Sequence, residues 1–323
     1  MRSALPATVL IAILCILSGV PALAQPFPSK PVRIIVPYAA GTADILARAL
    51  GNRLSNLWGQ PVLIENVGGA AGNIGTGRVA SAIPDGYTLL FTIDQTVVTN
   101  RFVFKTLPYD PDSLIPITML TYSGMFVIVN SSVPANSLHE LVEVARRAPG
   151  TISYGDSGMG GPPNLFFETI AKREGVRFLH VAYRGIAAAI SAVVSGEVQA
   201  SGSSAGSAGG LLKAGRIKAL AIGGARRSNL FPDIPTLAEA GYPYAEMSIW
   251  YGLFAPGGTN TQLVQKIYQD VTNIAKQPEF TEKYVKSIDH NLVANTPAEF
   301  AAAIRAQLAA TGEMVKAAGI TPE

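Results

Sequence analysis

Three short loops rich in glycine, serine, alanine and threonine carry the most distinctive chemistry in this sequence. They are Ala39–Asp44, Asp156–Gly161 and Ser201–Gly206, and each follows a predicted strand and leads into a predicted helix. The first turn of a helix presents N–H groups without intrahelical partners and the positive end of the helix dipole. Small side chains let a ligand approach that backbone. The loops therefore predict a site for a carboxylate or phosphate that needs no arginine.

A serine hydrolase is one alternative interpretation of the same residues. The run from Gly202 through Ser204 to Gly206 matches the nucleophile pattern G-x-S-x-G, and Asp233 and His290 follow in hydrolase order. The pattern is short, however, in a chain with 32 glycines. His290 also lies in a polar stretch that gives no sign of burial. We therefore favour binding over hydrolysis and predict that the chain is not an enzyme.

A dinucleotide site is a second alternative. Gly75, Gly77 and Ala80 resemble the G-x-G-x-x-G/A fingerprint, and Asp94 follows at about the distance of a ribose-binding acid. The first glycine should directly follow a strand, yet the apolar run that ends at Ile64 lies well before it. Close packing of the helix explains these glycines better. We expect no cofactor.

Composition excludes several other classes. The 323 residues are 48% hydrophobic and 15% charged, so most of the chain can build a folded core. The net charge is +3 without a prominent basic run, which argues against nucleic-acid binding. One cysteine and three histidines allow neither a disulfide framework nor a zinc site of the usual kind.

Strand and helix patterns alternate along most of the chain and predict a parallel sheet with helices on both faces. Two long apolar segments, 119–130 and 247–255, are candidate crossings between two domains, with Gly124 and Gly252 as hinge glycines. From Thr261 onward we predict helices only. The predicted strands are Val32–Val36, Val62–Ile64, Tyr87–Thr92, Ile152–Tyr154, Phe178–Val181 and Ile217–Ile222, with a short strand near Val198. The clearest predicted helices are Leu138–Arg147, Asn164–Arg173, Ala187–Ser195, Leu263–Ile274 and Pro297–Ala318.

The first 24 residues have the features of a secretory signal peptide. Arg2 supplies a positive charge, an apolar run covers Val9–Val20, and Ala22-Leu23-Ala24 is a small-x-small cleavage pattern. The apolar run is too short to cross a bilayer core of about 30 Å. We predict cleavage after Ala24 and export to the periplasm.

Several longer motifs resemble those of one protein family. They include PSKPVRIIVP at 28–37, GNIG at 72–75, PDGYTL at 84–89, LPYDP at 107–111, YRG at 183–185, PDIPT at 232–236 and WYG at 250–252. In order and spacing they are similar to the Bug or TctC family of periplasmic receptors for tripartite tricarboxylate transporters. The resemblance implies an α/β fold of the periplasmic binding protein type II kind, with two doubly wound lobes joined by a two-crossing hinge.

The resemblance also implies a function. A small organic carboxylate would bind in the cleft, held by loop amides and hydroxyls with ordered water on the first lobe, and would pass to the membrane permease subunits. A receptor that reports to a sensor kinase remains an alternative. We expect a monomer whose residues 1–24 are the signal peptide. Lobe 1 would comprise residues 25–123 and 252–323, and lobe 2 residues 124–251.

The predicted ligand contacts come from both lobes. We predict that these are Tyr38, Ala40, Gly41, Thr42, Asp44, Asp94, Thr96, Ser157, Gly158, Gly160, Gly161, Asn164, Tyr183, Gly185, Ala187, Ser203 and Ser204. Asp94 departs from the family pattern, which is usually uncharged there. It could cap a helix, or it could face the cleft and select a ligand with a hydroxyl or ammonium group.

Overall fold

Short apolar segments of the chain form the strands of the fold. Val32–Val36 is one of them, and its mostly buried residues suit a strand covered on both faces. The computed structural model describes residues 27–183 and 185–322, so the predicted signal peptide lies outside the described residues. The strands are β1 (Val32–Val36), β2 (Val62–Asn66), β3 (Thr88–Ile93), β4 (Ile115–Gly124), β5 (Phe126–Asn130), β6 (Ser153–Asp156), β7 (Leu179–Ala182), β8 (Ala200–Ser203), β9 (Ile217–Ile222), β10 (Ser248–Ala255) and β11 (Asn291–Leu292).

Helices connect these strands and cover the sheets. They are α1 (Thr42–Trp58), α2 (Asn73–Ala80), α3 (Asn100–Val103), α4 (Leu138–Arg147), α5 (Pro162–Glu174), α6 (Ile186–Ser195), α7 (Ala205–Lys213), α8 (Thr261–Ala275), α9 (Pro278–Phe280) and α10 (Pro297–Ala318). A π-helical turn, Gln95–Thr99, leads directly into α3. Among the described residues, no helix is both long and apolar enough to cross a membrane.

The strands make two separate sheets. The first has the order β11-β4-β10-β3-β1-β2, and the second has the order β7-β6-β8-β5-β9. The prediction of a parallel sheet is right for β1, β2 and β3 and for β6, β7 and β8. It is wrong for β9, which pairs antiparallel with β5, and for β10 and β5, which pair antiparallel with their neighbours. β5 and β10 begin where the chain crosses between sheets, which sets their direction.

The two crossings lie side by side. The Met125 N–H donates to Met247 O at 2.8 Å, and the Gly223 N–H donates to Met125 O at 2.9 Å. A side chain on Gly124 would overlap the Gly223 carbonyl, so the close approach requires glycine there. Gly252 is different, because it lies inside β10 and a side chain there would overlap the Phe300 ring. The prediction that Gly252 is a hinge residue is therefore wrong.

Most predicted elements have the bounds that the structure shows, to within a few residues. The C-terminal third is an exception, because β11 adds a two-residue strand that pairs with β4. β10 starts at Ser248 and pairs throughout with strands of the first sheet. Residues 248–251, which the sequence assigns to lobe 2, therefore belong to that sheet. The other lobe boundaries stay a prediction.

Candidate functional site

Four helices begin at loops that follow β1, β6, β7 and β8. Their N-cap residues are Gly41, Gly161, Gly185 and Ser204, and in none of them does the N-cap side chain bond the first turn. The first-turn N–H groups of α1, α5, α6 and α7 are thus left without a side-chain cap. Parallel strands place these helix starts at the same edge of each sheet. Such groups favour a negatively charged ligand.

Three helices elsewhere in the fold are capped by side chains, whereas α2, α3 and α9 are not. Ser137 caps α4, Asn260 caps α8, and Thr296 forms a reciprocal capping box with Glu299 at the start of α10. A polar side chain at the N-cap normally stabilises a helix by about 1 kcal/mol. The sequence therefore omits this stabilisation at the four helix starts where a ligand could replace it.

Side chains from outside the first loop, Ala39–Asp44, hold it in place. The Asn66 side-chain amide donates to Tyr38 O at 3.0 Å, and Arg48 donates to Asn66 Oδ1 at 3.0 Å. The Arg48 guanidinium also pairs with Asp44 at 2.9 Å. Asp44 is thus an acid in the first turn of α1, and its carboxylate is paired with Arg48. Ala40 is exposed, and Gly41 and Thr42 are half-buried, so this stretch faces solvent.

Thr92 links Tyr38 and Thr96 through hydrogen bonds of its hydroxyl group. Tyr38 Oη lies 3.5 Å from Thr92 Oγ1, which bonds Thr96 Oγ1 at 2.8 Å. Burial raises the pKa of the Tyr38 phenol, so it stays protonated and able to donate. Thr96 is fully buried. Of the two, only Tyr38 is open enough to reach a ligand directly.

Asp94 does not cap a helix, and its role as a selector of ligands stays a prediction. Its side chain does not cap the turn Gln95–Thr99. Oδ2 accepts a hydrogen bond of 3.1 Å from Gln307 of α10, whose carbonyl oxygen accepts from Trp250 Nε1 at 2.6 Å. The carboxylate is 5% exposed, and this burial raises its pKa to about 7. Asp94 therefore joins β3 to the C-terminal helix.

The second-lobe loop uses most of its own amides. The Gly158 N–H donates to Asp156 Oδ1 at 2.7 Å, the Gly160 N–H to Asn164 Oδ1 at 3.0 Å, and the Gly161 N–H to Gly158 O at 3.3 Å. In this conformation the three amides are thus bonded within the loop, and their contact with a ligand stays a prediction. Asn164 is buried and supports the loop, and Ser157 is half-buried. The Ser157 hydroxyl as a ligand contact stays a prediction.

The serines after β8 lie deeper than expected. Ser203 is fully buried, and Ser204 is 5% exposed with its hydroxyl 3.4 Å from Ser207 Oγ. His290 bonds Thr121 Oγ1 through Nδ1 and stacks on Tyr251. The expectation that His290 is exposed is wrong, because it is 3% exposed and burial lowers its pKa to about 4. The described contacts thus give Ser204 no histidine partner.

In the loop after β7, the groups that a ligand could reach are mainly backbone groups. The Tyr183 phenol donates to Glu197 Oε1 at 2.9 Å, within the same lobe. Gly185 has a φ of +103° with nothing near its missing Cβ, and Ala187 is exposed. The surroundings of Gly185 thus leave room for a ligand at the start of α6.

The two sheets' loops touch across the cleft at points that the sequence did not indicate. The Gln95 side-chain amide donates to Met159 O at 3.2 Å. A Cβ on Gly160 would lie 2.7 Å from Val103 and 3.2 Å from Thr99. Sequence patterns carry no signal for such a contact, because its partners are far apart in the chain. Within residues 27–183 and 185–322, no cluster of acids and histidines could hold a metal ion.

Comparison with known proteins agrees with this geometry. The family model described as the tripartite tricarboxylate transporter family receptor, TctC, matches residues 46–320. A UPF0065 protein of Bordetella pertussis is 33% identical over 260 residues, which is 80% of each chain. The periplasmic binding protein BugD is 30% identical with a TM-score of 0.85, covering 92% of this chain and 100% of BugD.

A further solved structure contains a ligand. Rpa4515 of R. palustris, solved with adipate, is 31% identical with a TM-score of 0.87, and the match covers 92% of this chain and 100% of Rpa4515. These likenesses confirm the two-lobe fold of the type II kind. The family model describes a transporter receptor and BugD is a periplasmic binding protein, which confirms the choice of binding over hydrolysis. The chain therefore belongs to the TctC family of solute-binding receptors.

Proposed function

We propose that this protein is a periplasmic receptor that captures a small organic carboxylate between its two lobes. It would deliver this ligand to the membrane subunits of a tripartite tricarboxylate transporter. The observation that carries the proposal is the set of four helices, α1, α5, α6 and α7, that begin without a side-chain cap after parallel strands.

The electrostatics of these helix starts suit an anion. Each helix N-terminus acts as roughly half a positive charge, and its free N–H groups are hydrogen-bond donors. The loop segments 38–44, 156–161 and 203–206 contain no lysine or arginine, whereas the loop before α6 contains Arg184. A carboxylate bound at the first three segments would be held by backbone and hydroxyl groups.

The relatives support both the ligand class and the compartment. Rpa4515 was solved with adipate, and BugD is a periplasmic binding protein. The family description names a tripartite transporter as the partner. Export would follow from the predicted signal peptide, with cleavage after Ala24.

The test is a ligand screen by thermal shift followed by calorimetry. Protein recovered from the periplasm is mixed with a panel of mono- and dicarboxylates that includes adipate, and with the corresponding carboxamides as neutral controls. We expect dissociation constants on the order of 1 μM for the best acid and no binding of its amide. Binding of an amide as tight as that of its acid would contradict the proposal.

A second measurement separates binding from catalysis. Ligand recovered after long incubation is analysed by mass spectrometry and should be unchanged. Conversion that disappears in Ser204→Ala would instead establish a hydrolase. The mass of the exported protein shows whether cleavage occurs after Ala24.

A further inference from the structure

The π-helical turn Gln95–Thr99 and α3 form the first-lobe side of a contact with the second-lobe loop 156–161. The Gln95 side-chain amide donates to Met159 O at 3.2 Å, and Gln95 is 1% exposed. Gly160 of the same loop packs on α3, since a Cβ there would lie 2.7 Å from a side chain of that helix. When the lobes separate, water replaces Met159 O as the partner of the Gln95 amide. This hydrogen bond therefore stabilises only the arrangement in which the lobes are together.

Side chains from outside the turn bind two of its backbone carbonyl groups. Thr96 O accepts the Tyr109 hydroxyl at 2.7 Å, and Val97 O accepts the Arg101 Nε–H at 2.9 Å. Turns of the π-helical kind are rare and occur frequently at functional sites. The bonds from Tyr109 and Arg101 hold this turn in one place and so give Gln95 a defined position.

Tyr109 belongs to the LPYDP motif and links it to the GNIG motif. Its hydroxyl also lies 2.9 Å from Asn73 Oδ1, which accepts the side-chain amide of Asn100 in α3 at 2.6 Å. Asn73 is 3% exposed, Tyr109 is 9% exposed, and burial raises the pKa of the Tyr109 phenol, which keeps its proton to donate. Two motifs that lie outside the ligand loops thus meet directly behind the turn that carries Gln95.

We propose that Gln95 holds the second-lobe loop in the ligand-bound state and that Tyr109 is its positioning residue. Tyr109 acts by fixing the carbonyl group of Thr96, the residue next to Gln95, and does not itself touch the ligand. This inference rests on the proposed function, because it concerns closure of the same cleft. The loss of one neutral hydrogen bond corresponds to about a fivefold change in affinity.

Two conservative substitutions test the proposal. Gln95→Met keeps the length of the side chain and removes the amide donor, and Tyr109→Phe removes only the hydroxyl group. Tyr87→Phe is the matched control, because it removes a tyrosine hydroxyl that accepts the Ser29 N–H at 2.9 Å, away from the turn. Urea unfolding of each variant measures its folding stability.

Calorimetry gives the dissociation constants for adipate and for the tightest-binding acid of the carboxylate panel. They are measured for the wild type, the three single variants, and the double variants that combine Gln95→Met with Tyr109→Phe or with Tyr87→Phe. Stopped-flow fluorescence gives the rates. The loss of a contact made after the lobes close should raise the dissociation rate and leave the association rate within about twofold.

Gln95→Met and Tyr109→Phe should each weaken binding about fivefold through faster dissociation, and Tyr87→Phe should leave the affinity within about twofold. Because Tyr109 acts through Gln95, the double variant of these two residues should bind about as well as Gln95→Met alone. Independent effects would instead multiply to about 25-fold and would overturn the positioning role. Loss of folding in Tyr109→Phe would overturn it as well, since Tyr109 would then be a structural residue.

Two further outcomes separate this inference from the proposed function. Wild-type affinity in Gln95→Met or in Tyr109→Phe overturns the inference alone. Failure of the wild type to bind any acid of the panel overturns the proposed function and this inference with it.

Discussion

Replacing Gly160 by alanine should weaken ligand binding far more than the same change at Gly158. Both glycines have positive φ, +78° at Gly160 and +118° at Gly158. A methyl group on Gly160 would lie 2.7 Å from Val103 of the first lobe, whereas one on Gly158 would meet nothing within 4 Å. Gly158→Ala therefore introduces backbone strain alone, and Gly160→Ala adds a collision between the lobes.

The size of the effect follows from these two terms. An L-residue in the left-handed region costs roughly 1–2 kcal/mol, and this cost applies to both variants. Overpacking at a close contact typically costs a further 1–3 kcal/mol. If the lobes must touch here to enclose the ligand, that second cost falls on the closed state. The affinity of Gly160→Ala should then be about 5–150-fold below that of Gly158→Ala.

Calorimetry with the best carboxylate from the screen measures this difference. Small-angle scattering at saturating ligand provides an independent measurement, because lobes held apart give a larger radius of gyration. Urea unfolding shows whether the two variants have similar folding stability. Equal affinities and equal radii in the two variants would refute the reasoning, since the contact at Val103 would then play no part in closure.

Three further predictions concern buried groups and the second-lobe hydroxyl. Because the pKa of Asp94 is raised to about 7, its contribution to the free energy of unfolding is lost as pH rises from about 4 to 7, by up to about 4 kcal/mol. Urea unfolding of Asp94→Asn between pH 4 and 8 should therefore show a growing gain over wild type, and a constant difference would contradict this. Because the pKa of His290 is lowered to about 4, its contribution is lost as pH falls from about 6.5 to 4, by up to about 3 kcal/mol. His290→Phe keeps the ring stack on Tyr251, and its stability relative to the wild type should be greater at pH 4.5 than at pH 7 in the same unfolding series. The same stability difference from the wild type at both pH values would count against this prediction. Ser157→Ala should lower carboxylate affinity about 10–150-fold in calorimetry with an unchanged circular dichroism spectrum, and a change within about twofold would remove Ser157 from the site.

Local sequence signals were sufficient for most elements and for the location of the loops. Val32–Val36 is predicted as a strand because five largely apolar residues fit a site covered on both faces. The helix Pro297–Ala318 also begins at a local signal, since Thr296 and Glu299 are three residues apart and form a capping box. The small-residue loops are likewise visible in sequence, because glycine at an N-cap is a local property.

Strand direction and burial required the tertiary structure. β10 pairs antiparallel with β3 because the chain returns from the second sheet at Met247, far along the sequence from either strand of the first crossing. His290 lies in a polar stretch, yet contacts with Thr121 and Tyr251 bury it. These outcomes depend on residues far apart in the chain, which no local pattern encodes.

The difference between local sequence signals and tertiary structure also applies to two acids, Asp94 and Asp156. In the sequence, Asp94 and Asp156 each lie two residues after a predicted strand, and Asp94 is one of the predicted ligand contacts. Only the tertiary structure brings Gln307 of α10 onto Asp94 and His180 of β7 onto Asp156. The local sequence thus determined where carboxylates could stand. Packing of distant elements decided which groups surround each carboxylate, and those groups set the properties of a buried charge.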